Sequence, residues 1–191
     1  MSNDQWWEPR IAPKLSQGDI VLELASGHLT FPETYLRKEV IKGNREAWIP
    51  SAYAASKNKD GVVHLLAKGR IRPTLIVSYD CDIDKQETQR TPRILVAPVL
   101  SANTLSPEFW EAVMTQRRRS LLPLPGIPQL EDCYADLRQI THVDKHGVDS
   151  AQRIASMSMA GLSRFRVQLI GFLTRINIAS ALTTTREDGE Y

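Results

Sequence analysis

The alternation of hydrophobic and polar positions predicts several short strands. Ile20, Leu22 and Leu24 share one face of a predicted strand over 20–24, the pattern of an antiparallel sheet with one solvated side. Runs of β-branched and aliphatic residues predict buried strands over Thr74 to Tyr79 and Ile94 to Val99. Two further strands are predicted at Val62 to Ala67 and at Tyr134 to Val143.

Longer segments predict helices. Ser106, Pro107 and Glu108 favour a helix start, because Ser caps, Pro fits the first helical position and Glu suits the positive end of the helix dipole. This helix is expected over about 106–119. Over about 161–178, apolar residues recur at spacings of three and four and predict a C-terminal helix with one apolar stripe. Arg164, Arg166, Gln168 and Arg175 are expected mostly off that stripe, and a short helix is predicted around Glu33 to Ile41.

The order of these elements predicts the fold class. Strands do not alternate regularly with helices, which favours a mainly β fold with added helices, in the form of a small bent antiparallel barrel, over a parallel sheet. We expect an N-terminal arm over 1–16 and one barrel domain over 17–182, with a long insertion at about 25–69. The polar residues 183–191 are predicted to be a flexible tail. A chain of 191 residues is long enough to bury a core in such a domain.

Charge placement is more informative than total charge. The formal net charge of +2 arises from 24 basic and 22 acidic residues, so the total is nearly balanced. Clustered arginines can nevertheless form a phosphate-binding face, although the alternative that they are solvated surface remains open. The basic clusters are Lys68, Arg70 and Arg72; Arg117, Arg118 and Arg119; and Arg164, Arg166 and Arg175.

Cysteine content and hydropathy predict the cellular compartment of the protein. Cys81 and Cys133 are the two cysteines, too few for a disulfide framework and not in a CxxC zinc pattern, which favours a reducing cytoplasm. The N-terminal residues lack the pattern of a signal peptide, and no apolar run approaches the roughly 18 residues needed to span a bilayer. We therefore expect a cytoplasmic protein without a membrane partner.

Several short motifs resemble one protein family. QGDIVLEL, the Gly-Arg-x-Arg-Pro step into TLIVS, ILVAPVLS, and ADLRQITHV followed by a terminal helix are similar to motifs of the MazF/PemK plasmid-maintenance toxins. The resemblance implies an SH3-like barrel that cuts single-stranded RNA without a metal or other cofactor. It also implies a toxin-antitoxin or phage-defence setting, a homodimer, and RNA or DNA, an antitoxin or another protein as partners.

The resemblance also assigns roles to residues. Gly18 and Asp19 match the family's Gly-Asp opening, and Arg72 matches the arginine that contacts the scissile phosphate. The family's hydroxyl at the end of the following strand is matched most nearly by Leu100 or Ser101.

The predicted catalytic set is Arg72, Ser101, Asp80 and His142. Arg72 would clamp the phosphate, Ser101 would orient it, and Asp80 or His142 would move protons. The predicted nucleic-acid-binding residues are Lys68, Arg70, Arg72, Arg117, Arg118 and Arg119. Alternatively, Arg72 pairs with an aspartate at the sheet edge and His142 is a half-exposed strand residue.

The segment DCDID suggests a further hypothesis for the function, a metal-dependent nuclease. In an extended segment Asp80, Asp82 and Asp84 would point to one side and could hold Mg²⁺ or Mn²⁺, which would make the protein a metal-dependent nuclease. A polar turn after Tyr79, with Cys81 as a small buried side chain, is the simpler interpretation. A non-catalytic adaptor for protein or nucleic acid is the alternative to both nucleases.

Overall fold

The computed structural model describes residues 6–26, 35–41, 45–51, 64–65, 70–85 and 93–175. They belong to two compact units, one comprising residues 1–26 and 71–191 and the other residues 27–70. The expected insertion at about 25–69 stays a prediction.

The first unit is built on a seven-stranded sheet with the order β10-β1-β5-β6-β8-β7, in which β9 also pairs with β6. The end strands β10 and β7 leave this sheet open among the described strands. The predicted fold class, mainly β with added helices, is confirmed. The strands are β1 (Ile20–Ser26), β5 (Arg70–Ile76), β6 (Arg93–Ser101), β7 (Leu121–Leu124), β8 (Cys133–Asp136), β9 (Thr141–Asp144) and β10 (Arg153–Ala155).

Strand β6 is the centre of this sheet. Thr74–Ile76 of β5 pair with Val96–Pro98 along one edge, antiparallel. Along the other edge, β9 pairs with the first half of β6 and β8 with its last three residues. One nine-residue strand therefore links both halves of the sheet and defines two ends, at Arg93 and at Ser101.

Four helices are described: α1 (Asp80–Lys85), α2 (Pro107–Met114), α3 (Lys145–Ser150) and α4 (Met159–Thr174). Helix α2 starts as predicted, with the Ser106 hydroxyl accepting a hydrogen bond from the Phe109 N–H. Its predicted extension to Arg119 is wrong, because Gln116 takes a left-handed conformation and the chain turns away. Helix α4 is the predicted C-terminal helix, capped by Ser158. No helix among these described residues is long and apolar enough to cross a membrane.

The predicted strand over Tyr134 to Val143 is interrupted. The Asp136 carboxylate accepts a hydrogen bond from the Arg138 N–H and caps a 3₁₀ turn, Leu137–Gln139, between β8 and β9. A side chain that bonds to nearby backbone competes with the sheet ladder, so the strand breaks there.

The second unit contains a three-stranded sheet in the order β3-β2-β4, with β2 at Tyr35–Ile41, β3 at Arg45–Ser51 and β4 at His64–Leu65. The helix predicted around Glu33 to Ile41 is wrong, because β2 pairs with β3 along its whole length. Strand pairing overrides local helix propensity there. The other residues of the strand predicted at 62–67 lie outside the described residues.

The N-terminal segment packs on the start of α4. Trp6 and Trp7 are buried, and the Trp7 indole N–H donates a hydrogen bond to the Pro125 carbonyl oxygen at 2.8 Å. The Trp6 carbonyl oxygen accepts from the Ser158 N–H, beside Gly161, where a side chain would collide with the Trp6 backbone. Phe165 and Leu169 continue this core, as the apolar stripe predicts.

Candidate nucleic-acid interface

The four predicted catalytic residues do not meet at one place. His142 pairs opposite Leu95, and the Leu95 carbonyl oxygen accepts hydrogen bonds from the N–H groups of Val77 and Ser78, two residues before Asp80. Asp80 and His142 therefore belong to the Arg93 end of β6. Ser101 ends β6, five or more residues further along the strand, which corresponds to about 17 Å or more.

Arg72 lies with Ser101 at the other end of the β5/β6 pair, which we call the lip. The observed pairing ends at Thr74 opposite Pro98. Continued by two residues, this register would set Arg72 opposite Leu100, so alternation would direct Ser101 to the other face of the sheet. The Ser101 hydroxyl accepts a hydrogen bond from the Asn103 N–H at 3.2 Å and caps a short 3₁₀ turn.

The surroundings of Ser101 are acidic. Ser101 pairs with Cys133, which follows Glu131 and Asp132, and the Glu131 carboxylate accepts a hydrogen bond from the Asn103 amide. Burial, reinforced by the charges of Asp132 and Glu131, raises the pKa of the Cys133 thiol to about 11. The negative charges of Asp132 and Glu131 would also disfavour a phosphate at the lip.

The predicted cluster of aspartates adopts a different geometry from the one expected. Asp80, Asp82 and Asp84 lie on α1, where alternate residues point in nearly opposite directions instead of to one side. Among the described residues, no three His, Cys, Asp or Glu side chains are grouped so as to hold a metal. The alternative metal site at these three residues is therefore not formed. Cys81 is exposed, so its predicted burial is wrong.

The Gly-Asp opening has a structural role in this fold. Gly18 has a φ of 90°, and a Cβ there would press on Met157. Asp19 is 1% exposed and its carboxylate accepts hydrogen bonds from the Ser16 N–H at 2.9 Å and from the Arg153 guanidinium at 3.2 Å. Burial raises the pKa of Asp19 despite these bonds. Through its bonds to Ser16 and Arg153, Asp19 connects the N-terminal segment to β10.

The structure brings two of the predicted basic clusters together. Gln168 of α4 is 5% exposed, and its side-chain amide donates hydrogen bonds to the carbonyl oxygens of Arg119, at 3.2 Å, and Leu121, at 2.8 Å. These bonds hold the exposed turn Arg117–Arg119 against the helix. Lys68 lies outside the described residues, as does the side chain of Arg70.

Helix α4 adds Arg164, and Arg175 follows its last turn. Arg164 stands four residues before Gln168, a spacing that shares one side of a helix, and Arg175 is the left-handed C-cap of α4. The Arg164 guanidinium lies 5.4 Å from the Trp6 ring centroid, and that of Arg118 lies 4.9 Å from the Phe109 ring centroid. We call this set the arginine face: Arg117, Arg118, Arg119, Arg164 and Arg175.

A carboxylate marks one border of the arginine face. The Leu137 N–H donates to the Ser120 carbonyl oxygen, which places the 3₁₀ turn beside the Arg117–Arg119 turn. There Asp136 binds the Arg138 guanidinium at 2.7 Å and neutralises it. Burial alone would raise the pKa of Asp136, but hydrogen bonds from Arg138 and Gln139 outweigh that effect and lower it.

Sequence reasoning missed two buried glutamines. Gln168 was expected off the apolar stripe, although its position three residues after Phe165 already indicates the buried side of the helix. Gln17 is also buried: its N–H donates to Asp80 at 2.7 Å, its side-chain amide donates to the Val77 carbonyl oxygen, and its side-chain oxygen accepts from Arg166. Nothing in the pattern around Gln17 signals this role.

No protein-family model and no curated protein matches the chain. Chemically, the arginine face offers planar donors suited to phosphate groups, on a platform whose own segments carry no acidic residue in 115–120 or in α4. The lip, by contrast, contains one arginine, Arg72, and the hydroxyl of Ser101, which already accepts a hydrogen bond, with the carboxylates of Glu131 and Asp132 near that hydroxyl.

Proposed function

We propose that the protein binds single-stranded nucleic acid, RNA above all, through the arginine face. The observation that carries this proposal is the pair of hydrogen bonds by which Gln168 holds the Arg117–Arg119 turn against α4. The five guanidiniums of the Arg117–Arg119 turn, α4 and its C-cap would bind successive phosphates by charge and by bidentate hydrogen bonds. The resemblance to MazF/PemK toxins adds a toxin-antitoxin or phage-defence setting to this proposal.

The cellular setting belongs to the same proposal. Cys81 and Cys133 are free thiols, and Cys81 is exposed. Free exposed thiols persist in reducing compartments, which supports a cytoplasmic location.

Metal-independent RNA cleavage is a second proposed activity. It is supported by the β5/β6 register, which directs Arg72 and Ser101 to the same end of the strand pair. Asp80 and His142 lie at the opposite end of the strand pair, so another group would have to transfer the protons. Cleavage of labelled RNA in EDTA that disappears in Arg72→Ala would support this activity, and intact RNA under all ionic conditions would remove it.

The binding proposal is tested by fluorescence anisotropy with a short labelled single-stranded RNA over a range of salt concentrations. Replacing Arg117, Arg118 and Arg119 together by Ala should lower the slope of log affinity against log salt by about 2, or about a hundredfold in affinity near 0.1 M salt. Lys145→Ala is the matched control, since Lys145 is already paired with Asp149. Equal slopes for the triple variant and the wild type would refute the proposal.

A further inference from the structure

One guanidinium of the arginine face lies over an aromatic ring and is also open to solvent. The guanidinium carbon of Arg118 is 4.9 Å from the centroid of the Phe109 ring, a distance at which a cation and an aromatic ring attract each other. Arg118 is exposed, and Phe109 is half-buried. One side of the guanidinium therefore faces the ring, and its other side faces away from the ring.

The backbone brings Arg118 back over a residue that comes nine positions earlier in the chain. Gln116 has a φ of 57°, a left-handed conformation that ends α2 and reverses the chain. The Arg118 carbonyl oxygen accepts a hydrogen bond from the Leu121 N–H at 2.9 Å, which closes the turn. A turn that is already closed loses less conformational entropy when a ligand binds to it.

The ring below Arg118 is held in place from two directions. Phe109 packs against the buried residues Val113, Leu121 and Tyr134. Its N–H donates a hydrogen bond to the Ser106 hydroxyl at 3.3 Å, within the cap of α2. Phe109 can therefore act as a rigid support for the guanidinium.

A second arginine of the arginine face also lies over a ring, but in different surroundings. The Arg164 guanidinium is 5.4 Å from the centroid of the Trp6 ring. Trp6 is 4% exposed and Arg164 itself is half-buried, so this arginine covers a core residue. Of the two, Arg118 is the one whose outward side a ligand can reach.

We propose that the outward side of the Arg118 guanidinium is a base-binding subsite, on which an unpaired base of bound RNA stacks. Phe109, Arg118 and the base would form three layers. Unpaired RNA bases stack on guanidinium planes, and the N–H groups at the edge of the plane stay available to a phosphate. This subsite rests on the proposed function and adds to it the part of the RNA that Arg118 recognises.

The shape of the side chain at position 118 should matter as well as its charge. Arg118→Lys keeps the charge but replaces the planar guanidinium, so affinity for a short labelled single-stranded RNA should fall about tenfold in fluorescence anisotropy. The slope of log affinity against log salt should not change, because the charge is unchanged. Arg93→Lys is the matched control: Arg93 is exposed at the first residue of β6, outside the arginine face, and this variant should bind like the wild type.

Two further measurements show whether the lost contact is made to a base. RNA of the same length without its bases keeps every phosphate, so the wild type and Arg118→Lys should bind it equally. Phe109→Leu should also weaken binding of the intact RNA, because it removes the ring below Arg118 and keeps an apolar side chain; circular dichroism checks its fold. The double variant should lose little more affinity than Arg118→Lys alone, since both substitutions remove the same stack.

Three results would overturn the subsite. Equal affinity of Arg118→Lys and the wild type for intact RNA would leave the proposed function without it, provided that the Arg117–Arg119 triple variant still lowers the salt slope. An equal loss of affinity on RNA without bases would show that Arg118 contacts only phosphate. A wild type that binds no RNA would remove the proposed function itself, and the subsite with it.

Discussion

The arginine face and the lip both contain arginine. The residues around the arginine face favour a phosphate group, whereas those around the lip disfavour one. At the arginine face, the buried Gln168 donates to the backbone carbonyl oxygens of Arg119 and Leu121 and so holds the exposed Arg117–Arg119 turn beside a helix that has no acidic residue. At the lip, the Ser101 hydroxyl is used as a cap, and burial together with the charges of Asp132 and Glu131 raises the pKa of the adjacent Cys133 thiol. The difference shows that an arginine in a family-like motif is weaker support for phosphate binding than the charges around it.

The largest effect is expected from damage to the platform under the arginine face. Gly161→Ala would force a Cβ into the Trp6 backbone, which cannot move as a flexible side chain can. We expect a loss of about 3 kcal/mol in the free energy of unfolding, measured in urea. Gly147→Ala in α3 is the control, because its Cβ would meet only a Leu24 methyl at 3.7 Å. Equal stability of the two variants would contradict this packing.

A smaller effect should show whether RNA binding depends on the position of the arginines as well as on their number. Gln168→Met keeps every charge but removes the bonds to the carbonyls of Arg119 and Leu121, which should cost about 1 to 2 kcal/mol and weaken RNA binding severalfold. Gln17→Met is the matched control, a buried glutamine that also donates to a backbone carbonyl. It should lose similar stability without losing RNA affinity in anisotropy measurements. Equal RNA affinity of the two variants would mean that turn placement is unimportant.

The smallest effect concerns the border of the arginine face. The pKa of Asp136 is lowered from 3.8, so its stabilising bonds are present above that pH and are lost as the pH falls through the folded-state value. Asp136→Asn should cost about 1 kcal/mol near neutral pH, and the difference from wild type should shrink in acid. Because Arg138 would be released, RNA binding should strengthen slightly. A stability difference that persists in strong acid would contradict this assignment.

The sequence predicts individual helices from local signals, but it does not predict which residues far apart in the chain come into contact. The spacing around Phe165 predicted α4, and the Ser106-Pro107-Glu108 start predicted α2, because caps and periodicity are local signals. The break at Asp136 depends on a hydrogen bond between its side chain and nearby backbone. The strand at Tyr35–Ile41 depends on its pairing with the next strand, Arg45–Ser51, which the local pattern does not reveal. The arginine face depends on Gln168 reaching across 47 residues to Leu121, a contact that no spacing rule predicts.

The most direct test of nucleic-acid binding at the arginine face, and not at the lip, is photo-cross-linking of RNA that contains 4-thiouridine, with the adducts mapped by mass spectrometry. Adducts should fall on the peptides that contain Arg117–Arg119 and α4. Adducts confined to the peptides of Arg72 and Ser101 would contradict the account.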